Sequence, residues 1–264
     1  MTETVRSKDG TTIAFDRSGD GPPLILVGGA MGHRVHAGEL ASHLAASFTV
    51  SSYDRRGRGE SGDTQPYAIE REIEDIDAVI GAAGGSAFVY GHSSGAVLAL
   101  RAAAAGLDIP RLALHEPPFI VDDSRPPVPD ELVENLDELI AAGRPGDAVA
   151  YFMTDSVGLP AGAIPAMRQE PSWAEMEAVA HTLPYDSRIL DGTLRGDPAP
   201  LRQWASVTTP TLVIDGTATF PFMHPSADAL AAVLPNAERV TLEGQDHGPA
   251  PEVLVPVLVE FFGR

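Results

Sequence analysis

The chain contains no cysteine. Disulfides, thiolate nucleophiles and zinc–thiolate sites are therefore excluded. Basic residues are also scarce. Against 37 Asp and Glu stand 18 Lys and Arg, a formal net charge of −19. Such a surface repels nucleic acid and anionic membranes and disfavours highly anionic substrates. No apolar run approaches the length needed to span a bilayer. No apolar core follows Met1-Thr2-Glu3-Thr4-Val5-Arg6, as a secretory signal would require. The expectation is a cytoplasmic protein with neither nucleic-acid nor membrane partners. Its 264 residues suit one large α/β domain, with room for an insertion.

The chain is organised around residues 87–100. The apolar run Ala87-Phe88-Val89-Tyr90 leads into Gly91-His92-Ser93-Ser94-Gly95, and an Ala- and Leu-rich run of good helix propensity follows. This is a G-x-S-x-G pattern between a strand and a helix. The pentapeptide by itself also fits an ordinary Gly/Ser loop that caps a helix. Its setting favours a tight strand-to-helix turn that lifts Ser93 Oγ above the sheet edge, beside the free N–H groups of a helix start.

On both sides, strand and helix signals alternate. Asp9-Gly10 between two β-prone runs predicts a hairpin. Leu24-Ile25-Leu26-Val27 reads as a buried strand, followed by the small-residue loop Gly28-Gly29-Ala30-Met31-Gly32. Residues 39–45 read as a helix and 48–53 as a strand. A dense charged turn follows at Asp54-Arg55-Arg56-Gly57-Arg58-Gly59-Glu60-Ser61-Gly62. Ile73, Ile76, Val79 and Ile80 recur at helical spacing. From about 118 to 205 the composition turns Pro-rich, with helix-like runs at 131–142 and 173–183 and no convincing strand. Strand and helix signals resume at Thr211-Leu212-Val213-Ile214-Asp215 and continue to a C-terminal helix over 252–262. The pattern predicts an α/β fold, a mostly parallel sheet covered by helices on both faces. Core segments 1–117 and 206–264 would flank a helical cap at 118–205.

The segments Pro22 to Gly29, Tyr53 to Gly62, Gly91 to Gly95, Pro210 to Ile214, and Leu242-Glu243-Gly244-Gln245-Asp246-His247 stand in one order over almost the whole length. In this the chain resembles the α/β-hydrolase superfamily with a helical cap domain. The resemblance implies Ser93 as nucleophile and His247, in the loop after the last strand, as its base. It implies an oxyanion hole made by the backbone N–H groups of Ser94 and Ala30, with Gly29 the near alternative. No metal or organic cofactor is implied. His33 and His36 have a spacing that can suggest a metal, but no further ligand pattern accompanies them, so they read as polar groups of the loop and pocket.

The acid departs from the common family pattern. Where many members have Gly-x-x-Asp, this chain has Gly216-Thr217-Ala218-Thr219. A serine–histidine pair needs an acid to fix the imidazole tautomer and stabilise its cation. Glu116, after the strand that follows the serine helix, offers one at the same sheet edge. His115-Glu116-Pro117-Pro118 is similar to the corresponding segment of zearalenone lactonases, which use a Glu there. Asp215 is the rival acid, and Glu116 can also be read as a surface carboxylate at the cap hinge. Asp246 lies too near His247 in sequence to orient it comfortably. His92, Phe152, Met153, Trp173, His181, Tyr185, Met223 and His224 are candidate substrate contacts, each equally compatible with packing.

The function expected from these residues is hydrolysis of a small-molecule carboxylic ester or lactone through an acyl-serine. Carbon–carbon bond hydrolysis or a specialised biosynthetic reaction on the same scaffold is the alternative. A non-catalytic small-molecule binding protein is a further one. Oligomeric state is not readable from the sequence.

Overall fold

A computed structural model describes residues 2–264. Eight strands form one sheet: β1 (Thr2–Arg6), β2 (Thr12–Ser18), β3 (Pro23–Val27), β4 (Thr49–Tyr53), β5 (Phe88–His92), β6 (Leu112–His115), β7 (Thr211–Gly216) and β8 (Ala237–Leu242). Their spatial order is β1-β2-β4-β3-β5-β6-β7-β8. The Asp9-Gly10 turn closes the β1–β2 hairpin, and β2 pairs antiparallel with β4. Every other neighbouring pair is parallel.

Strand alternation sends side chains to two cores. Ile25, Val27, Val89, Leu112, Leu114 and Val213 face one side. Leu24, Leu26, Tyr90, Ala113, Leu212 and Ile214 face the other. The second face is covered by α1 (Gly38–Leu44) at one end of the chain and α10 (Pro251–Phe262) at the other. The first is covered by α2 (Ile69–Ala82), α3 (Ser94–Ala104) and α9 (Met223–Val233). With both faces buried, these strands carry the near-continuous apolar runs seen in the sequence.

Between β6 and β7 lie α4 (Leu132–Ala141), α5 (Pro145–Tyr151), α6 (Ile164–Met167), α7 (Ser172–Ala178) and α8 (Leu183–Ile189), with a π-helical turn at Phe152–Val157. Its only described strand-like pairing is the isolated bridge Ile120–Leu194. The single helix expected over 173–183 is in fact interrupted. α7 ends at Ala178, and Pro184 sits in the first turn of α8. Proline suits a helix start, where its missing N–H costs nothing, and disrupts a helix interior.

Among the described residues no helix is long and apolar enough to cross a membrane. α3 is the most enclosed helix: Ala96, Val97, Leu98, Ala99 and Leu100 have no exposed surface. Burial of one such leucine contributes about 1.5–3 kcal/mol, and its truncation leaves a cavity as well. Leu98→Ala is therefore expected to lower unfolding free energy by about 2–5 kcal/mol in urea titration.

Candidate active site

Parallel register brings the carboxyl ends of β3, β5, β6 and β7 to one edge. Val27 pairs with Gly91, His92 with His115, and His115 with Ile214. The residues that follow these strands are Gly28 to Ala30, Ser93 and Glu116. The ladder continues one step past the strands: Ser93 N donates to His115 O at 2.9 Å and Glu116 N to Ile214 O at 2.8 Å.

Ser93 has φ 56° and ψ −127°. That conformation is costly for a residue with a side chain and persists only where the surroundings enforce it. They do so here by close approach. A Cβ on Gly91 would lie 2.6 Å from Ala96 Cα, and one on Gly95 would lie 2.4 Å from Gly28 O. The non-glycine residues with positive φ among those described are Met31, Ser93 and Glu116. Met31 and Ser93 line one cavity of about 600 Å3, and Glu116 bonds to His247, which lines it too.

The Glu116 carboxylate is fully buried and fully engaged. Oε1 accepts from Gly216 N at 2.9 Å, and Oε2 accepts from Thr219 Oγ1 at 2.8 Å. Oε2 also meets His247 Nδ1 at 2.5 Å. Thr219, where the common pattern has its acid, instead donates a hydrogen bond to the acid supplied by the neighbouring strand. With Nδ1–H donated to the carboxylate, Nε2 is left as the basic nitrogen. Gly216 also lets the His247 loop approach, since a Cβ there would lie 2.1 Å from Gln245 O. No hydrogen bond joins Ser93 Oγ to His247 among the described residues; both open onto the cavity. Such contacts are commonly loose without substrate.

Asp215 turns away from this site. Its carboxylate accepts from Thr241 Oγ1 at 2.8 Å and meets His224 Nδ1 at 2.6 Å and Arg239 Nη2 at 2.8 Å. Asp246 accepts from Gly248 N, within its own loop. The N–H groups of Ala30 and Ser94 donate to no group of the described chain, and both residues line the cavity. Gly29 packs against the serine, with room for no Cβ: one would lie 2.9 Å from Ser93 Cβ.

Met153, Met223, Phe152 and His92 also line the cavity. Trp173, His181, Tyr185 and His224 do not. Trp173 is buried in the insertion, donating to Glu177 at 2.7 Å under the Arg168 guanidinium. His181 faces the Gly57 turn. Tyr185 stacks on Tyr67, with ring centroids 3.9 Å apart, and its hydroxyl donates to Asp63 at 2.8 Å. His224 is the ion-pair partner of Asp215. The neighbouring Asp186 of α8 also stays out of the cavity lining and instead meets Arg55 and Arg58. His33 and His36 line the cavity mouth, and among the described residues no cluster of three or more His, Asp or Glu could hold a metal.

Sequence reasoning missed Phe220 and Phe222, which line the cavity just after β7. An aromatic pair in a loop at the carboxyl edge was the available signal. It also missed Asp186, a lone helical Asp with no distinguishing neighbour.

His115, His92 and His247 form a row of tilted rings, with His92 in the middle and its centroid 5.1 Å from that of His115 and 4.5 Å from that of His247. His92 Nε2 donates to His247 O at 2.7 Å. Burial, reinforced by the nearby His247, pushes His92 down to about 4. Burial, with His92 and His247 adding to it, holds His115 well below the ordinary histidine value.

This sheet, with a strained serine between strand and helix on the same cavity as a carboxylate-bound histidine, defines a protein of the α/β-hydrolase architecture. The model of the Alpha/beta hydrolase family matches residues 19–257, and the chain belongs to that family. The crystal structure of an alpha/beta hydrolase from Sphaerobacter thermophilus is 57% identical, with a TM-score of 0.92, covering 98% of this chain and 100% of that one. A pimeloyl-[acyl-carrier protein] methyl ester esterase of Xanthomonas campestris is 29% identical over 89% of this chain and 91% of its own length. An N-formylmaleamate deformylase of Pseudomonas putida is 35% identical over 51% of this chain. The chain spans 52% of that deformylase, and 35% of another curated relative it matches.

The histidine row sets a pH dependence. Between about 4 and the ordinary 6.5, the unfolded chain protonates His92 while the folded chain does not. The unfolded state then binds more protons, so stability is lost as pH falls through that window. Melting temperature is expected to drop as pH is lowered from about 6.5 to about 4. In His115→Gln the slope should be shallower.

Proposed function

We propose that the chain hydrolyses an uncharged carboxylic ester or lactone through an acyl-serine intermediate. The observation that carries this reading is the Glu116–His247 bond at 2.5 Å, beside a serine held in a strained conformation on the same cavity wall. Ser93 Oγ attacks the substrate carbonyl carbon while His247 Nε2 takes the hydroxyl proton. Glu116 stabilises the imidazolium. The oxyanion is received by the N–H groups of Ala30 and Ser94. His247 returns the proton to the departing alkoxide, and water, deprotonated by the same nitrogen, releases the acid and restores Ser93.

The cavity supports an uncharged substrate. Its wall carries Leu26, Val27, Leu190, Leu194 and Phe222 but no Lys or Arg. A carboxylate beyond the reacting group would lose hydration without gaining a cation, a costly exchange. The similarity to an ester-cleaving relative agrees with this reading. Residues 118–205 act as a cap that shapes specificity, since Phe152, Met153, Val157, Leu190 and Leu194 reach the cavity from that segment.

A fluorophosphonate probe should label the wild type and leave Ser93→Ala unlabelled, read by intact-protein mass. Neutral p-nitrophenyl esters should turn over, and the hemiester of a dicarboxylic acid should not. An unlabelled wild type that turns over no ester would instead mark a binding protein. Loss of the acid's charge in a serine triad cuts turnover by about four orders of magnitude. Glu116→Gln should therefore lower kcat by several orders, while Asp215→Asn leaves it within about tenfold. The reverse ranking would transfer the orienting role to Asp215.

A further inference from the structure

Beneath the cavity floor lies a buried charge network. Arg55 makes two hydrogen bonds of 2.7 Å to the Glu72 carboxylate, and its Nη1 donates to Asp186 Oδ1 at 2.7 Å. Arg58 Nη2 donates to Asp186 Oδ2 at 2.5 Å, and Arg58 Nε to Thr182 Oγ1 at 3.2 Å. Two guanidiniums face two carboxylates, and all four side chains are essentially without solvent contact. The network touches the oxyanion loop at two points. Arg58 Nη1 donates to Gly29 O at 2.6 Å, and Arg55 Nη1 to Gly28 O at 3.3 Å. Asp186 also accepts from Ser94 Oγ at 2.7 Å.

We infer that Arg58, anchored by Asp186, is a positioning residue for the oxyanion hole. The inference rests on the acyl-serine reading. Gly29 C=O and Ala30 N–H belong to one peptide group. A guanidinium on the carbonyl oxygen draws electron density from the amide nitrogen and strengthens the N–H as a donor. It also fixes the plane of the Gly29–Ala30 peptide, whose first residue has no side chain to restrain it. Asp186 ties this peptide to Ser94, which carries the second donor, and to helix α8 of the insertion. Both donors are thereby set by one buried carboxylate before the oxyanion forms, so little reorganisation is needed when it does.

Arg58→Lys tests this. An ammonium cannot reach Asp186, Thr182 and Gly29 O together as the guanidinium fork does. The measurements are kcat and KM on a neutral p-nitrophenyl ester, and the affinity of a trifluoromethyl ketone. The ketone adds to Ser93 as a hemiketal oxyanion. Its secondary alcohol fills the same cavity without forming one. Outright removal of one oxyanion donor costs about 100- to 1,000-fold in kcat. Weakening one should cost about tenfold, with KM nearly unchanged and the ketone weakened by the same factor. The alcohol should bind as before. A kcat within twofold of wild type, or an equal loss of ketone and alcohol affinity, overturns the inference. If Arg58→Lys does not fold by circular dichroism, Asp186→Asn is measured in the same way, with the same expectation. Fluorine NMR separates the two readings. A wild type that forms no hemiketal on Ser93 overturns the acyl-serine reading and this inference together, whereas a hemiketal indifferent to Arg58 and Asp186 overturns the inference alone.

Discussion

The parallel register of β3, β5, β6 and β7 is the constraint on which the site depends. It places Gly29, Ser93 and Glu116 at one level of one edge, though they are far apart in sequence. A slip of one residue in any of these strands would exchange its two faces. Leu24 and Leu26 would then point toward α3, and Ile25 and Val27 toward α10. Burial on both faces leaves no tolerant side to which a strand could turn. The same apolar packing that stabilises the sheet therefore fixes the spacing of the polar groups at its edge.

Strain is concentrated where that edge meets the cavity. Met31, Ser93 and Glu116 are held at positive φ although none is glycine. Each lies one to four residues beyond a strand end, where the chain must leave the sheet sharply. Gly91 and Gly95 make the Ser93 turn possible because backbone from β3 and α3 occupies the space of any side chain. Glu116 is retained in its conformation by its backbone bond to Ile214 and by three contacts on its carboxylate.

The turn from Asp54 to Gly62 carries the other polar interior. Arg55, Arg56 and Arg58 are among the most buried large side chains. A buried charge is tolerated only when paired. Arg56 is held by Asp75 and Asp9, and Arg55 and Arg58 by Glu72 and Asp186. Burial alone would raise the Asp186 carboxyl, but Arg58 and Arg55 hold it below the ordinary carboxylate value. The sequence marked this turn as densely charged. It gave no sign that the charges are internal, because partners on α2 and α8 come from distant segments without a shared pattern.

Local chemistry determined much of this protein from the sequence alone. Alternating apolar runs and helical periodicities specified a covered parallel sheet, and the glycines around Ser93 specified a tight turn between strand and helix. The ordering of motifs nominated His247. The choice between Glu116 and Asp215 as the carboxylate facing that histidine was a tertiary matter. Both lie at the ends of adjacent strands at the same edge, and the sequence favours Glu116 with Asp215 as its rival without showing which of them the histidine meets. Asp215 is drawn to Thr241, His224 and Arg239, while Glu116, in its left-handed conformation, turns toward the loop after β8. The same holds for Trp173, His181 and Tyr185, whose side-chain directions were set by how α7 and α8 pack. Side-chain type and spacing are encoded locally. The direction in which a polar group points depends on which distant partners compete for it, and only the folded arrangement brings those partners into competition.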